Sequence, residues 1–334
     1  MMSLLIWIVV ILAVITIVRV VRILELVGVL SDDKEEITDS DNKFNAWMML
    51  IFLFVGLGGM FYFTLDAKKY LLPVAASKHG VITDNLLNIN FLLIAVIFII
   101  TQILLFGFAY RYKYKKGEKA YFYPINHTLE FVWTIIPTIV LGALIFYGLK
   151  VWNDITAPAP KNAMIIELYG KQFDWTARYA GSDNTLGASN FKLITDDNPL
   201  GVNEHDGTSK DDKITKELHL PVNTTIRFIC HSRDVIHSAY LPHLRSQMNC
   251  VPGMTTEIVV VPTITTDSMR LITKNSKFDY VLLCNKVCGI AHYNMNMKVV
   301  IEPVEDFKRW YKNQPLVFQQ AAAPADTAKV VASK

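Results

Sequence analysis

Residues 45–65, 86–110 and 131–149 contain no charged side chain. Each run is long enough to cross about 30 Å of hydrocarbon as a helix. Hydrocarbon leaves a backbone little choice, because every N–H and C=O must find its partner within the segment. These runs predict membrane-spanning helices over about 45–65, 86–110 and, with flanking residues, 128–151. A further apolar run fills residues 4–18 and continues past Arg19 and Arg22 to about residue 30. A signal peptide carries its positive charge ahead of the apolar core. Here the arginines follow it, which predicts a fourth span over 4–30 whose arginines snorkel to the interface.

Loop charge sets the expected orientation. Arg111, Lys113, Lys115, Lys116 and Lys119 face a single acid, Glu118, so the 111–125 loop is expected in the cytoplasm. The N-terminus, residues 66–85 and everything after 152 then lie outside, and the 31–44 loop inside. The chain is 52% hydrophobic and 19% charged, a balance between a soluble domain and a purely membrane protein. Two regions are therefore expected, with 1–151 forming the membrane region. The net charge of +3 gives no footprint for nucleic acid.

Residues 152–162 contain two prolines and read as a linker. Short alternating runs follow: Met164–Tyr169, Phe173–Tyr179, Glu217–Leu220, Thr225–Cys230, Thr256–Val261, Ser268–Thr273, Tyr280–Cys284 and Met297–Glu302. This spacing predicts an all-β Greek-key sandwich over 163–313, closed by a short helix near 303–313. Residues 314–334 read as a disordered, low-complexity tail. A polar insert at 196–212 holds six acids (Asp196, Asp197, Glu204, Asp206, Asp211, Asp212) and one base, Lys210. It reads as a solvated loop or as a steering patch for a basic electron donor.

The chemistry concentrates in residues 284–297, whose donor atoms follow the spacing Cys284-x3-Cys288-x3-His292-x2-Met295. Two thiols, an imidazole and a thioether form a soft donor set, which suits copper. A structural zinc site would pair C-x2-4-C with a distant second pair and no thioether. From spacing alone, Cys284 and Cys288 could instead form a surface disulfide, with Met295 in the core. Met297 is an alternative thioether. A second stretch, Asp234-Val-Ile-His-Ser238, follows an alternating strand pattern. A histidine at the end of such a strand is how a blue-copper type sandwich presents its distant ligand. Cys230 and Cys250 lie outside this loop, and sequence separation does not decide whether they are neighbours.

With these motifs, Val251-Pro-Gly253, Gly170-Lys-Gln172 with Trp175, and Glu130-Phe-Val-Trp-Thr-Ile-Ile-Pro137, residues 85–312 resemble subunit II of haem–copper cytochrome c oxidases. The resemblance implies a cupredoxin-like sandwich carrying a binuclear CuA centre. It implies copper ligands His237, Cys284, the Lys286 carbonyl, Cys288, His292 and Met295. It implies electron entry from cytochrome c, or from a tethered cytochrome c domain, near Phe173 and Trp175. Electrons then pass to haem in subunit I, where O2 is reduced to water with proton translocation. Glu130 becomes a proton-pathway entry, and the setting a bacterial inner membrane with the copper domain on its periplasmic side.

Three departures stand out. Family members usually have two spans, so the two N-terminal spans are extra, and read either as packing against other oxidase subunits or as additional anchors. The usual Trp-Tyr-Trp reads Phe173-Asp174-Trp175 here. Both acids of the family Mg2+ site are replaced, by Asn249 and Lys286, so Mg2+ is expected to be absent there. The rival readings fit less well. A quinol oxidase subunit II would lack the copper ligands. A thiol oxidoreductase or copper chaperone predicts a βαβ pattern. The CuA domain of a nitrous oxide reductase would not carry four spans.

Overall fold

The computed structural model describes residues 2–30 and 38–318. Four long helices come first: α1 (Met2–Leu30), α2 (Asp39–Ala67), α3 (Lys78–Arg111) and α4 (His127–Ile155). Among the described residues, α2 (extended by a 3-10 turn to Tyr70), α3 and α4 are long and apolar enough to cross a membrane. The fourth expected span does form one continuous helix, α1. Arg19, Arg22 and Glu25 fall in its C-terminal half, after the apolar run of residues 4–18. Arg22 and Glu25 pair with each other at 3.0 Å. Residues 31–37 of the expected inside loop lie outside the described residues.

The chain divides into two compact units, one holding α1, α2 and α3 from Ile94 onward, the other Lys68–Leu93 and the described residues from Asn126. In the first unit, aromatic pairs hold α2 to α3. Trp47 meets Tyr110 edge-on and Phe52 meets Phe106, each with ring centroids 5.2 Å apart. Asn42 Nδ2 donates to the Tyr114 carbonyl at 2.6 Å.

The second unit is built around ten strands: β1 (Met164–Lys171), β2 (Asp174–Tyr179), β3 (Lys213–Thr215), β4 (Leu218–Pro221), β5 (Ile226–Ser232), β6 (His237–Leu241), β7 (Ser246–Cys250), β8 (Thr256–Val260), β9 (Tyr280–Cys284) and β10 (Asn296–Glu302). They form two five-stranded sheets, ordered β3-β2-β1-β5-β8 and β4-β10-β9-β6-β7. Alternating strands such as β5 and β9 turn Ile226, Phe228, Cys230, Tyr280, Leu282 and Cys284 inward. Trp175, Leu168, Leu218 and Val299 complete the core between the sheets. Burial of this apolar surface, at about 25 cal/mol per Å2, is the main force closing the sandwich.

The run Ser268–Thr273, expected as a strand, is a helix, α5 (Thr266–Thr273). Two caps decide it. The Thr265 hydroxyl accepts from the Ser268 N–H at 3.2 Å, and Lys274 ends the helix with φ of +53°. Met269 then becomes its buried anchor. The closing helix, α6, runs Val304–Lys312. Residues 314–318, expected in the disordered tail, are ordered. Leu316 bridges Lys213, the Val317 N–H donates to the Asp212 carbonyl at 3.0 Å, and Val317 packs with Leu200, Val202 and Ile214. Residues 319–334 lie outside the described set.

The polar insert is likewise more than a solvated loop. Asp206 accepts from the Ala188 N–H at 2.7 Å, and Asp211 accepts from the Ser182 N–H at 2.6 Å. Asp212 is fully buried against Arg178, whose Nη1 lies 3.2 Å away. Arg178 also donates to Glu167 at 2.6 Å and to the Gly187 carbonyl at 2.9 Å. Asp196, Asp197 and Glu204 are the acids left exposed for any steering role.

Arg245 fixes the start of α3 to the sandwich. Its Nε and Nη2 grip the two Asp84 oxygens, each at 2.8 Å, and Nη2 also reaches the Pro73 carbonyl. Gly80 makes the approach possible, since a Cβ there would lie 2.6 Å from Ser77 Oγ and 3.0 Å from Arg245 Cγ. Ala76 and Ser77 are fully buried alongside. Arg245→Ala leaves the Asp84 carboxylate unpaired and is expected to cost about 2–3 kcal/mol of local stability. Hydrogen exchange at residues 76–84 should then speed up by more than about 10-fold. Unchanged exchange there would show that the clamp holds nothing.

Candidate metal centre

The site forms at one end of the second sheet. β6 and β9 pair in antiparallel register, with Ala239 opposite Cys284. Two residues back along β6 is His237, which is fully buried. Cys284 ends β9, and the chain then turns through residues 285–291 into a 3-10 turn, His292–Asn294. Backbone bonds hold this loop in place. The Asn285 N–H donates to the Ser238 carbonyl at 3.0 Å, and the Cys284 N–H to the Met295 carbonyl at 3.1 Å. Gly289 is required here, because φ is +146° and a Cβ would lie 2.8 Å from both Gln172 Nε2 and the Phe173 ring.

The donor atoms converge. Cys284 Sγ lies 3.9 Å from Cys288 Sγ, 3.8 Å from His237 Nδ1 and 3.3 Å from the Lys286 carbonyl. Cys288 Sγ lies 3.5 Å from His292 Nδ1 and 3.7 Å from Met295 Sδ. His237, Cys284 and Cys288 offer donor atoms within 4.8 Å of one another, all three residues buried. Met295 is 1% exposed at the entrance to β10, whereas Met297 lies within β10, paired with Leu282. Strand alternation could not separate the two thioethers; the turn at His292–Asn294 does.

Asp234 orients His237. Its carboxylate lies 2.7 Å from His237 Nε2, leaving Nδ1 toward Cys284, and also accepts from the Gln172 N–H at 2.7 Å. Burial pushes the Asp234 carboxyl up, but the bonds from Gln172, His237 and Val235 outweigh it and hold the group below its ordinary value. A charged carboxylate behind a ring nitrogen fixes the tautomer and raises the basicity of the other nitrogen. Burial, and then the neighbouring Cys284, push the Cys288 thiol up to about 11. Gln172 Nε2 donates to the Cys288 carbonyl at 2.5 Å and pins the loop from the far side. Sequence reasoning missed this role for Gln172 and that of Asp234, although both fall in the motifs Gly170-Lys-Gln172 and Asp234-Val-Ile-His-Ser238.

The other expected residues take different positions. Trp175 is buried in the core, its ring T-shaped to His237 at 6.1 Å. Phe173 is half-buried and packs over Gly289, so it is the member of that pair nearer solvent. Lys286 and Asn249 are both exposed. Glu130 lies in the first turn of α4, 3.2 Å from His127 Nδ1, far in sequence from the loop.

A membrane-anchored β-sandwich with a buried sulfur–nitrogen cluster at one sheet end defines a class: the redox and metal-carrying sandwich proteins of membranes. The comparisons narrow it. The pattern of the cytochrome c oxidase subunit II periplasmic domain matches residues 164–304, and that of its transmembrane domain residues 65–151. The alternative cytochrome c oxidase subunit 2 of Bradyrhizobium diazoefficiens is 32% identical over 268 residues, covering 79% of this chain and 91% of that one. The cytochrome c oxidase subunit 2 of Thermostichus vulcanus is 25% identical over 76% of this chain and 82% of its own. The crystal structure of the periplasmic domain of a Bradyrhizobium japonicum cytochrome oxidase subunit II covers 46% of this chain and 95% of its own, at 21% identity and a TM-score of 0.31. The chain belongs to the cytochrome c oxidase subunit II family. It is thus a subunit of an oxidoreductase, with membrane helices and a periplasmic domain.

Proposed function

We propose that His237, Cys284, the Lys286 carbonyl, Cys288, His292 and Met295 hold a binuclear copper centre that takes electrons from cytochrome c. In this reading the electrons go on to haem in subunit I of the same oxidase, where O2 is reduced to water with proton translocation. The observation that carries the reading is the convergence of two thiols, two imidazoles, a thioether and a carbonyl at separations of 3.3–3.9 Å. The donor set fits the group, since soft sulfur with imidazole selects copper over hard cations. When bound, the copper pair supplies a one-electron carrier whose charge change is shared between two metals.

The chain's own residues do the rest. Asp234 holds the His237 ring so that Nδ1 faces the cysteines. Gln172 holds the Cys288 carbonyl, and Gly289 lets Phe173 close over the loop. The buried sulfurs keep water away, so little solvent rearranges when charge moves. Val287, Ile290 and Tyr293 are more than four-fifths exposed on the same loop and offer an apolar surface to a partner protein. Electrons enter past Phe173, with Trp175 behind it beside His237, and the donor is a cytochrome c or a tethered cytochrome c domain. Glu130 admits protons at the cytoplasmic start of α4. Asn249 and Lys286 bring an amide and an ammonium where a hard cation wants carboxylates, so Mg2+ does not bind there. The membrane is the bacterial cytoplasmic membrane, and α1 and α2 meet other oxidase subunits.

The same reading divides the chain into a membrane region (1–151), a linker (152–162), a copper domain (163–313) and a tail. Metal analysis of the purified full chain tests it. Two coppers per chain and a near-infrared absorption band are expected. A colourless protein without copper, or with zinc in its place, overturns the reading.

A further inference from the structure

The second pair of cysteines lies across the interior of the sandwich. Cys230 is on β5 of the first sheet and Cys250 ends β7 of the second. Both are fully buried. Ser232 and Pro252 form a parallel bridge, so the chains run side by side with Cys230 and Cys250 two residues earlier on each. The Thr256 hydroxyl confirms the alignment, donating to the Cys230 carbonyl at 3.5 Å and to the Asn249 carbonyl at 2.5 Å. Both residues belong to the same buried core cluster between the sheets. No role in the metal cluster uses them.

We propose that Cys230 and Cys250 are joined by a disulfide that ties the two sheets together. The bond closes residues 231–249, the segment carrying Asp234 and His237. A cross-link between neighbouring strands of opposite sheets restricts the unfolded chain while leaving the core packing in place. Two S–H bonds break and one S–S bond forms, releasing two protons and two electrons. The electrons reduce the disulfide of a thiol–disulfide exchange protein, which takes up the protons as a dithiol.

Timing follows from burial. Contact with Cys250, and then burial, hold the Cys230 thiol well above its ordinary value, so in the folded chain it is a poor nucleophile. At 0% exposure no exchange partner can reach either sulfur. The bond therefore forms as the two sheets come together, before the core is sealed from an exchange partner, and once enclosed it resists reduction. The chain then keeps its two dithiols in opposite states, the core pair oxidised and the Cys284–Cys288 pair free for metal. The inference does not depend on the metal reading.

Peptide mapping of the full chain tests it. Protein purified in detergent is stripped with a chelator, unfolded in denaturant with iodoacetamide and no reductant, and digested. Cys284 and Cys288 should carry the label. The Cys230 and Cys250 peptides should appear as one species, lighter by about 2 Da than the two thiol peptides together. The link should survive dithiothreitol on the folded chain and be lost after unfolding. Labelling of both Cys230 and Cys250 without reduction, pairing of either with Cys284 or Cys288, or loss of the link in the folded chain would overturn the proposal.

Discussion

Cys284→Ser or Cys288→Ser should leave the sandwich folded but unable to hold the proposed copper centre. Each sulfur stands between a histidine nitrogen and the other sulfur, Cys284 with His237 at 3.8 Å and Cys288 with His292 at 3.5 Å. Removing one therefore removes a donor from both sides of the cluster. A serine hydroxyl is a hard donor that stays protonated at neutral pH, whereas the soft metal needs a thiolate. Even residues that only support a metal ligand cost 10–100-fold when lost, so cytochrome c oxidation should fall by more than about 100-fold. Far-ultraviolet circular dichroism should stay near wild type, because the loop is held by backbone bonds from Asn285 and Cys284 that do not involve the sulfurs. A normal near-infrared band in either variant would refute the assignment of both sulfurs as copper donors.

Arg178→Met should cost more stability than any exposed charge change in the chain. Arg178 is 2% exposed, and its partners Glu167 and Asp212 are fully buried. Its removal leaves two carboxylates inside the protein without their cation, at a cost of about 3–5 kcal/mol. His231 retains its contact with Glu167 at 2.6 Å, so the larger share of the loss falls on Asp212 and on the insert it anchors. Burial pushes the Glu167 carboxyl up, but Arg178 and His231 outweigh it and hold the group below its ordinary value. Asp212 goes the other way: burial pushes it up to about 6, against the Gly187 N–H and the Arg178 charge.

The signs follow from proton binding. The unfolded chain releases the Asp212 proton near pH 4. The folded state keeps it to about pH 6, so over that window it binds more protons. Through this group stability therefore falls as pH rises from about 4 to 6. Without Arg178 the folded state holds the proton to higher pH, and the penalty continues above 6. The variant should therefore lose less stability at pH 5 than at pH 8 in paired thermal melts. Equal loss at both would show that Asp212 is not the group left stranded.

Local sequence determined the parts of this protein whose physics is local. Charge-free runs of twenty or so residues force helices, because hydrocarbon offers a backbone no other partner. Four donor residues within the 284–295 loop are brought together by the turn itself, so their spacing already carried the chemistry. His237 was legible only as a motif. What brings it to Cys284 is the pairing of β6 with β9 across more than forty residues.

The strands β6 and β7 did not stand out in the pattern. β6 is buried on both faces, and Ser238 within it is fully buried, so the alternation that betrays a half-exposed strand is missing. Alternation in Ser268–Thr273 pointed to a strand, and two capping residues made it a helix. Asp212 looked like one more acid of a solvated insert until Arg178, from a distant strand, enclosed it. The juxtaposition of Cys230 and Cys250 belongs to the same group. Their sheets meet only when the sandwich closes, and no pattern along the chain encodes which strands of opposite sheets come to lie side by side.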